Sequence, residues 1–102
     1  MLKIKVDDKS VGFINCTQEN NIFYINDFDV EVKQRHKSYG CQLLKYFEHE
    51  VKNQGGIKVW LHVNVNNEIA IKFYQKYDYK ITNRIDNYYA ENFHAFIVEK
   101  IL

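Results

Sequence analysis

A basic run, Lys33-Gln34-Arg35-His36-Lys37, stands directly before Ser38-Tyr39-Gly40-Cys41 and an apolar pattern that begins with Leu43 and Leu44. This grouping suits anion chemistry. The first backbone N–H groups of a helix have no intrahelical partner, and the helix dipole places roughly half a positive charge there. Gly40 has no Cβ, so a phosphate can approach the backbone closely. Arg35, His36 and Lys37 add side-chain charge. The competing reading is a solvated surface turn. A second group suits proton transfer. Asp27, Asp29 and Glu31 alternate with Phe28, Val30 and Val32, which puts three carboxylates on one face of a strand. Solvated surface charge is the alternative for all three.

The elements that position these residues follow from period and punctuation. Leu2, Ile4 and Val6 alternate with lysines, Asp7 to Ser10 is turn material, and Val11 to Thr17 is a second strand, so the chain opens on a hairpin. Gln18 to Asn21 turns the chain into a third strand, Ile22 to Val32. The helix after Gly40 carries Leu43, Leu44, Phe47 and Val51 on one stripe and stops at Gln54-Gly55-Gly56. Ile57, Val59, Leu61 and Val63 form a fourth strand. A strand, a helix and a strand on short connections predict a right-handed parallel crossover. Asn66 or Asn67 caps a second helix with Ala70, Phe73, Tyr74 and Tyr77 on its buried stripe. Tyr79 to Asn83 reads as a short strand, Arg84 to Asn87 as a turn, and Tyr88 to Leu102 ends in a last strand. The fold class is α/β (α+β), in the order ββ-β-α-β-α-ββ, as one domain over residues 1–102.

Composition narrows the function. The net charge is +1, so no global basic field argues for nucleic acid or an acidic membrane surface. No apolar run approaches the ~18 residues of a membrane span, and the start lacks a signal peptide. The two cysteines, Cys16 and Cys41, have no metal or redox spacing. His36, His49, His62 and His94 are scattered, and no metal is expected. The expectation is a cytoplasmic protein with reduced thiols. Tyr88, Tyr89, Phe93 and Phe96 crowd the last strands, which predicts a homodimer through them.

Two stretches together resemble the GNAT superfamily of acyl-CoA N-acyltransferases. Arg35-His36-Lys37-Ser38-Tyr39-Gly40-Cys41-Gln42-Leu43-Leu44 is similar to the pyrophosphate loop R/Q-x-x-G-x-G/A with its following helix. Leu61-His62-Val63 and Asn67-Glu68-Ile69-Ala70-Ile71-Lys72-Phe73-Tyr74-Gln75-Lys76-Tyr77-Asp78-Tyr79 are similar to the pattern L-x-V…N-x-x-A-x-x-F-Y-x-x-x-G-F. Ser38 stands where the first loop glycine is expected, and Asp78-Tyr79 replaces Gly-Phe. The family carries a strand and two helices before the hairpin, and this sequence starts at the hairpin. The acceptor pocket is therefore expected to be incomplete or completed by a second subunit.

The resemblance implies a mixed, mostly antiparallel sheet flanked by helices, and acetyl transfer from acetyl-CoA to a primary amine by direct attack. It implies that backbone N–H groups from Arg35 through His36, Lys37, Ser38, Tyr39 and Gly40 to Cys41 hold the CoA pyrophosphate. Main-chain groups of Val30 and Val32 hold the pantetheine arm and polarise the thioester carbonyl. Asn67 hydrogen-bonds the arm, caps its helix, or both. Tyr74 protonates the leaving thiolate, or is a core aromatic beside Phe73. Asp29 and Glu31 are expected as the base, with Asp27 also in reach. His62 keeps a minor acid/base role, Cys41 and Trp60 read as packing residues, and the acceptor amine is unnamed. The alternative function is a non-catalytic CoA-binding regulatory or partner subunit.

Overall fold

The computed structural model describes residues 2–6, 9–31 and 39–102. Its elements are β1 (Leu2–Val6), β2 (Lys9–Glu19), β3 (Ile22–Val30), α1 (Tyr39–Asn53), β4 (Lys58–Asn64), α2 (Glu68–Lys76), β5 (Lys80–Ala90) and β6 (Phe93–Ile101). The expected order is the observed one. The strands form one sheet in the order β1-β2-β3-β4-β6-β5. Every neighbouring pair is antiparallel except β3 with β4, which the α1 crossover makes parallel.

Both helices pack on the same face of the sheet. Leu43, Leu44, Phe47 and Val51 of α1 and Tyr74 of α2 share one core with Phe23, Ile25, Val59, Leu61, Val63 and Val98. The predicted α1 stripe is buried, whereas on α2 only Tyr74 is buried, with Ala70, Phe73 and Tyr77 half-buried around it. The alternate positions of β4 (Lys58, Trp60, His62, Asn64) lie on the opposite face, which no helix of the described residues covers.

Each helix ends the same way. At α1, Gly56 N–H donates to the Val51 carbonyl and Gly55 N–H to the Lys52 carbonyl, with Gly55 at φ 79°. At α2, Tyr79 N–H donates to Tyr74 and Asp78 N–H to Gln75, with Asp78 at φ 72°. This paired closure requires a left-handed residue, which Gly supplies freely and Asp tolerates. Asp78 therefore does the work of the expected glycine.

β2 runs beyond the expected Val11 to Thr17 at both ends, β3 stops at Val30, and two further boundaries differ from the sequence reading. The turn expected at Arg84 to Asn87 lies inside β5, because Arg84 and Ile85 pair with Phe96 and Ala95 across the sheet. The reversal falls at Glu91 and Asn92 instead, with Asn92 at φ 64°. Helix α1 begins at Tyr39, so Gly40 and Cys41 belong to its first turn. Sheet pairing overrode the local turn signal in the first case.

Candidate active site

The site is made by a divergence of strands. β3 and β4 pair only at Ile22–Lys58, Phe23–Val59 and Tyr24–Trp60. Beyond Tyr24, β3 continues to Val30 while β4 stays with β6 as far as Asn64. A wedge opens between them, with a cleft on the helix side.

The cleft has a volume of about 650 Å³. Phe28, Asp29 and Val30 line it from β3, Gly40 and Cys41 from the first turn of α1, and Asn67, Ala70, Phe73, Tyr74 and Tyr77 from α2. A Cβ on Gly40 would stand 3.6 Å from the Phe73 ring and 3.9 Å from Val30, so anything much larger would fill the cleft mouth. Asn67 caps α2, its Oδ1 accepting from Ala70 N–H at 3.1 Å. Tyr74 is buried, and burial pushes its phenol above the usual tyrosine range. Tyr77 is raised first by its hydrogen bond with Cys41. The Val30 N–H donates to Asp29 Oδ1 at 2.9 Å, while Glu31 N–H donates to Val11 on β2 at 2.7 Å.

On the opposite face the strands set out a row of rings. Tyr24 Oη and His62 Nδ1 lie 2.8 Å apart. Trp60 packs on Tyr24 with ring centroids 4.6 Å apart. Tyr88 stacks on His62 at 4.1 Å with planes 10° apart. Burial lowers the His62 imidazole below its ordinary 6.5. The Tyr24 phenol is pushed up to about 12, by burial first and then by the Tyr88 hydroxyl, with Tyr89 and Asp27 adding negative potential. At neutral pH this is a neutral imidazole hydrogen-bonded to an intact phenol. The adjoining groove, of about 730 Å³, includes Thr17, Asn26, Lys58 and Glu99 with Tyr24 and Trp60 on its floor.

A strand wedge between a helix N-terminus and a capped second helix matches a known sequence pattern. The sequence model of the acetyltransferase (GNAT) family matches residues 1–79. The chain belongs to the GNAT family. N-alpha-acetyltransferase 50 of Danio rerio is 29% identical over 103 residues, covering 94% of this chain and 61% of its own. The structure of Ard1 from Thermoplasma volcanium superposes with a TM-score of 0.90 at 31% identity, covering 95% of this chain and 66% of that one. An aminoglycoside 6′-N-acetyltransferase complexed with coenzyme A superposes at 0.86 with 21% identity, over 97% of this chain and 70% of that one, a likeness of fold. The chain spans about three fifths of the length of the Danio rerio relative.

In the GNAT frame, Val30, Gly40, Cys41, Asn67, Tyr74 and Asp29 come together at one cleft. Tyr39 is half-buried as the first residue of α1. Glu31 is exposed at the end of β3. Val32, Arg35, His36, Lys37 and Ser38 lie outside the described residues. Tyr24 and Tyr88 were not singled out from sequence as site residues, and His62 was given only a minor role. The readable signal was parity. A parallel crossover sets Tyr24 beside Trp60, and alternation then puts His62 on the same face. Among the described residues, no group of three or more His, Cys, Asp or Glu could hold a metal ion, and no helix is long and apolar enough to cross a membrane.

Proposed function

We propose that this protein transfers an acetyl group from acetyl-CoA to the α-amine of a peptide or a comparably weakly basic amine. The observation that carries the reading is the Tyr24–His62 pair at the mouth of a GNAT wedge. The cleft's dimensions suit the pantetheine arm: α2 capped by Asn67 on one wall, Phe28 to Val30 of β3 on the other, and the first turn of α1 at its end. Acetyl-CoA supplies the activated acyl carbon.

The acceptor comes from the opposite face. Its nitrogen attacks the thioester carbonyl, the C–N bond forms and the C–S bond breaks. The amine's proton passes to the Tyr24 oxygen as the Tyr24 proton passes to His62 Nδ1. The sulfur leaves as a thiolate and takes a proton from Tyr74; His62 then releases its proton to solvent and Tyr74 regains one, so both return to their neutral forms. In this reading the base is His62 rather than Asp29 or Glu31. Asp29 already accepts from the backbone on the cofactor side, and Glu31 stands at the exposed end of the strand. A base of lowered pKa also selects its substrate. An α-ammonium titrates near ~8 and a lysine near ~10.4, so the lysine proton costs about 3 kcal/mol more to remove. The name of the Danio rerio relative, an N-alpha-acetyltransferase, supports the same acceptor class.

The test is acetylation of short peptides with free and with blocked α-amines. Tyr24→Phe and His62→Gln should each lower kcat by about 10²-fold, with the acetyl-CoA Kd kept. Tyr74→Phe should lower kcat by about tenfold or more, since its phenol serves only the leaving group. Unchanged turnover in Tyr24→Phe and His62→Gln would sink the base assignment. Preference for lysine amines would sink the acceptor class.

A second reading is a CoA-binding subunit without turnover. It is favoured by the Asp29 carboxylate on the Val30 N–H, which takes up a donor that the thioester carbonyl would use. It predicts binding of acetyl-CoA with no acetylation of any amine, and robust turnover by the pure chain excludes it. A homodimer is part of the first reading. It would form through the β5 edge, where Tyr89 and Phe93 are exposed, and a monomeric mass by light scattering would rule it out. A cytoplasmic setting fits two free thiols, and recovery of Cys16 and Cys41 as disulfides from cells would contradict it.

A further inference from the structure

We propose that His94 on β6 is a positioning residue that holds Tyr88 over His62. The proposal rests on the acetyltransferase reading above for its kinetic consequence, though not for its structural one.

Strands β5 and β6 differ in length across their hairpin end. β5 and β6 pair at Ile85–Ala95 and next at Ala90–Phe93. Asp86, Asn87, Tyr88 and Tyr89 on β5 therefore stand opposite His94 alone. Such a bulge has lost its ladder and needs other bonds to keep one shape. Three are present. Asn87 N–H donates to His94 Nδ1 at 2.9 Å. Asn87 Oδ1 accepts from Asn92 N–H at 2.8 Å. The His94 carbonyl accepts from Val65 N–H at 3.1 Å, which ties the same residue to the connection between β4 and α2.

Asn87 is the pivot. It sits at φ 56°, a left-handed conformation that Asn tolerates and that turns the chain sharply. The next residue is Tyr88, whose ring lies flat on His62 at 4.1 Å. His94 thus fixes Asn87 and Asn87 aims Tyr88. Because its Nδ1 accepts, His94 carries its proton on Nε2. Asp86 Oδ1 lies 3.5 Å from the same Nδ1 but is bonded to Arg84 Nε at 2.9 Å. The Asn87 N–H is then the donor His94 serves. A side chain outside the groove would set the backbone from which Tyr88 reaches His62, beside the Tyr24 hydroxyl that Tyr88 also meets.

Two comparisons test this. His94→Leu removes the acceptor, and His94→Asn puts an oxygen near where Nδ1 stood. His94→Phe is a second acceptor-free variant should His94→Leu not fold. In the folded chain, the stacked Tyr88 ring shifts the His62 ring protons upfield in the NMR spectrum. That shift should vanish in His94→Leu, as in a Tyr88→Leu reference, and return in His94→Asn. The KM for the peptide amine should rise about tenfold in His94→Leu, with the acetyl-CoA Kd unchanged, and recover to within about twofold in His94→Asn. His62 signals that stay in place in His94→Leu overturn the positioning role whether or not the chain acetylates anything. Signals that move while KM does not overturn its consequence for the acceptor. Absence of turnover in the parent overturns the acetyltransferase reading and leaves the spectroscopic comparison to decide the positioning.

Discussion

His62 shows how a fold makes a base from an ordinary imidazole. Burial lowers its pKa, so the neutral form persists to more acidic pH than in water. The sign of the pH dependence follows. Activity needs the neutral ring, so kcat at saturating peptide falls as pH drops through an inflection below 6.5, whereas kcat/KM also carries the limb of the α-ammonium at ~8. The Tyr24 phenol, raised to about 12, stays protonated across the accessible alkaline range and adds no limb there. A pH–rate profile whose acid limb vanishes in His62→Gln would bear this out, and a limb that survives would assign it elsewhere. This pair was not legible as a unit. Its members stand 38 residues apart and meet only because a three-pair parallel seam sets their strands in register. Tyr74 and Asn67 were legible, because both belong to one helix whose cap and stripe lie within a dozen residues. The same locality could not tell whether Asp29 faced acceptor or cofactor. A register shift between Asn15 and Cys16 in the pairing of β2 with β3 leaves Asn26 unpaired, and side-chain parity changes there.

The helix ends are the most determinate elements. A Cβ added to Gly56 would come within 2.2 Å of Val51 Cγ1, 2.8 Å of the Val51 carbonyl and 2.9 Å of the Phe23 ring. Two of these are core side chains and the third is backbone, so the helix end must move. Gly56→Ala should therefore destabilise the fold by about 1–3 kcal/mol, read by chemical denaturation. A change within a few tenths would mean that α1 can relax away from β3 at little cost. Helix stripes, caps and the crossover could all be read from sequence because each is encoded within a few residues. The path of β5 could not. Arg84 to Asn87 has turn composition, yet its first half is held in the sheet by Phe96 and Ala95, ten or more residues later in the chain. The left-handed Asn87 is real turn chemistry spent on a bulge rather than a reversal.

At the scale of the molecule the sheet separates two chambers. The helix-side cleft lies between β3, α1 and α2, and the opposite face carries rings and a polar groove. Gly40 controls the first without touching the second. Gly40→Trp should abolish acetyl-CoA binding in a calorimetric titration while the His62–Tyr88 stacking signals persist. Binding retained in that variant would place the cofactor outside the cleft. The family frame was legible from two motifs, whereas the aromatic face was not, since no local pattern says that rings on β3, β4 and β5 converge. The seam between β3 and β4 has a further consequence, for the order of assembly. β1-β2-β3 and β4-β6-β5 are each joined by antiparallel pairings, while three parallel pairs join the two groups across the intervening α1. Loop closure across a helix is slow relative to hairpin formation. The seam should therefore close late, and truncating Val59 at its centre should accelerate unfolding far more than it slows refolding. The opening on which binding depends would then also be the last junction the chain makes and the first it releases.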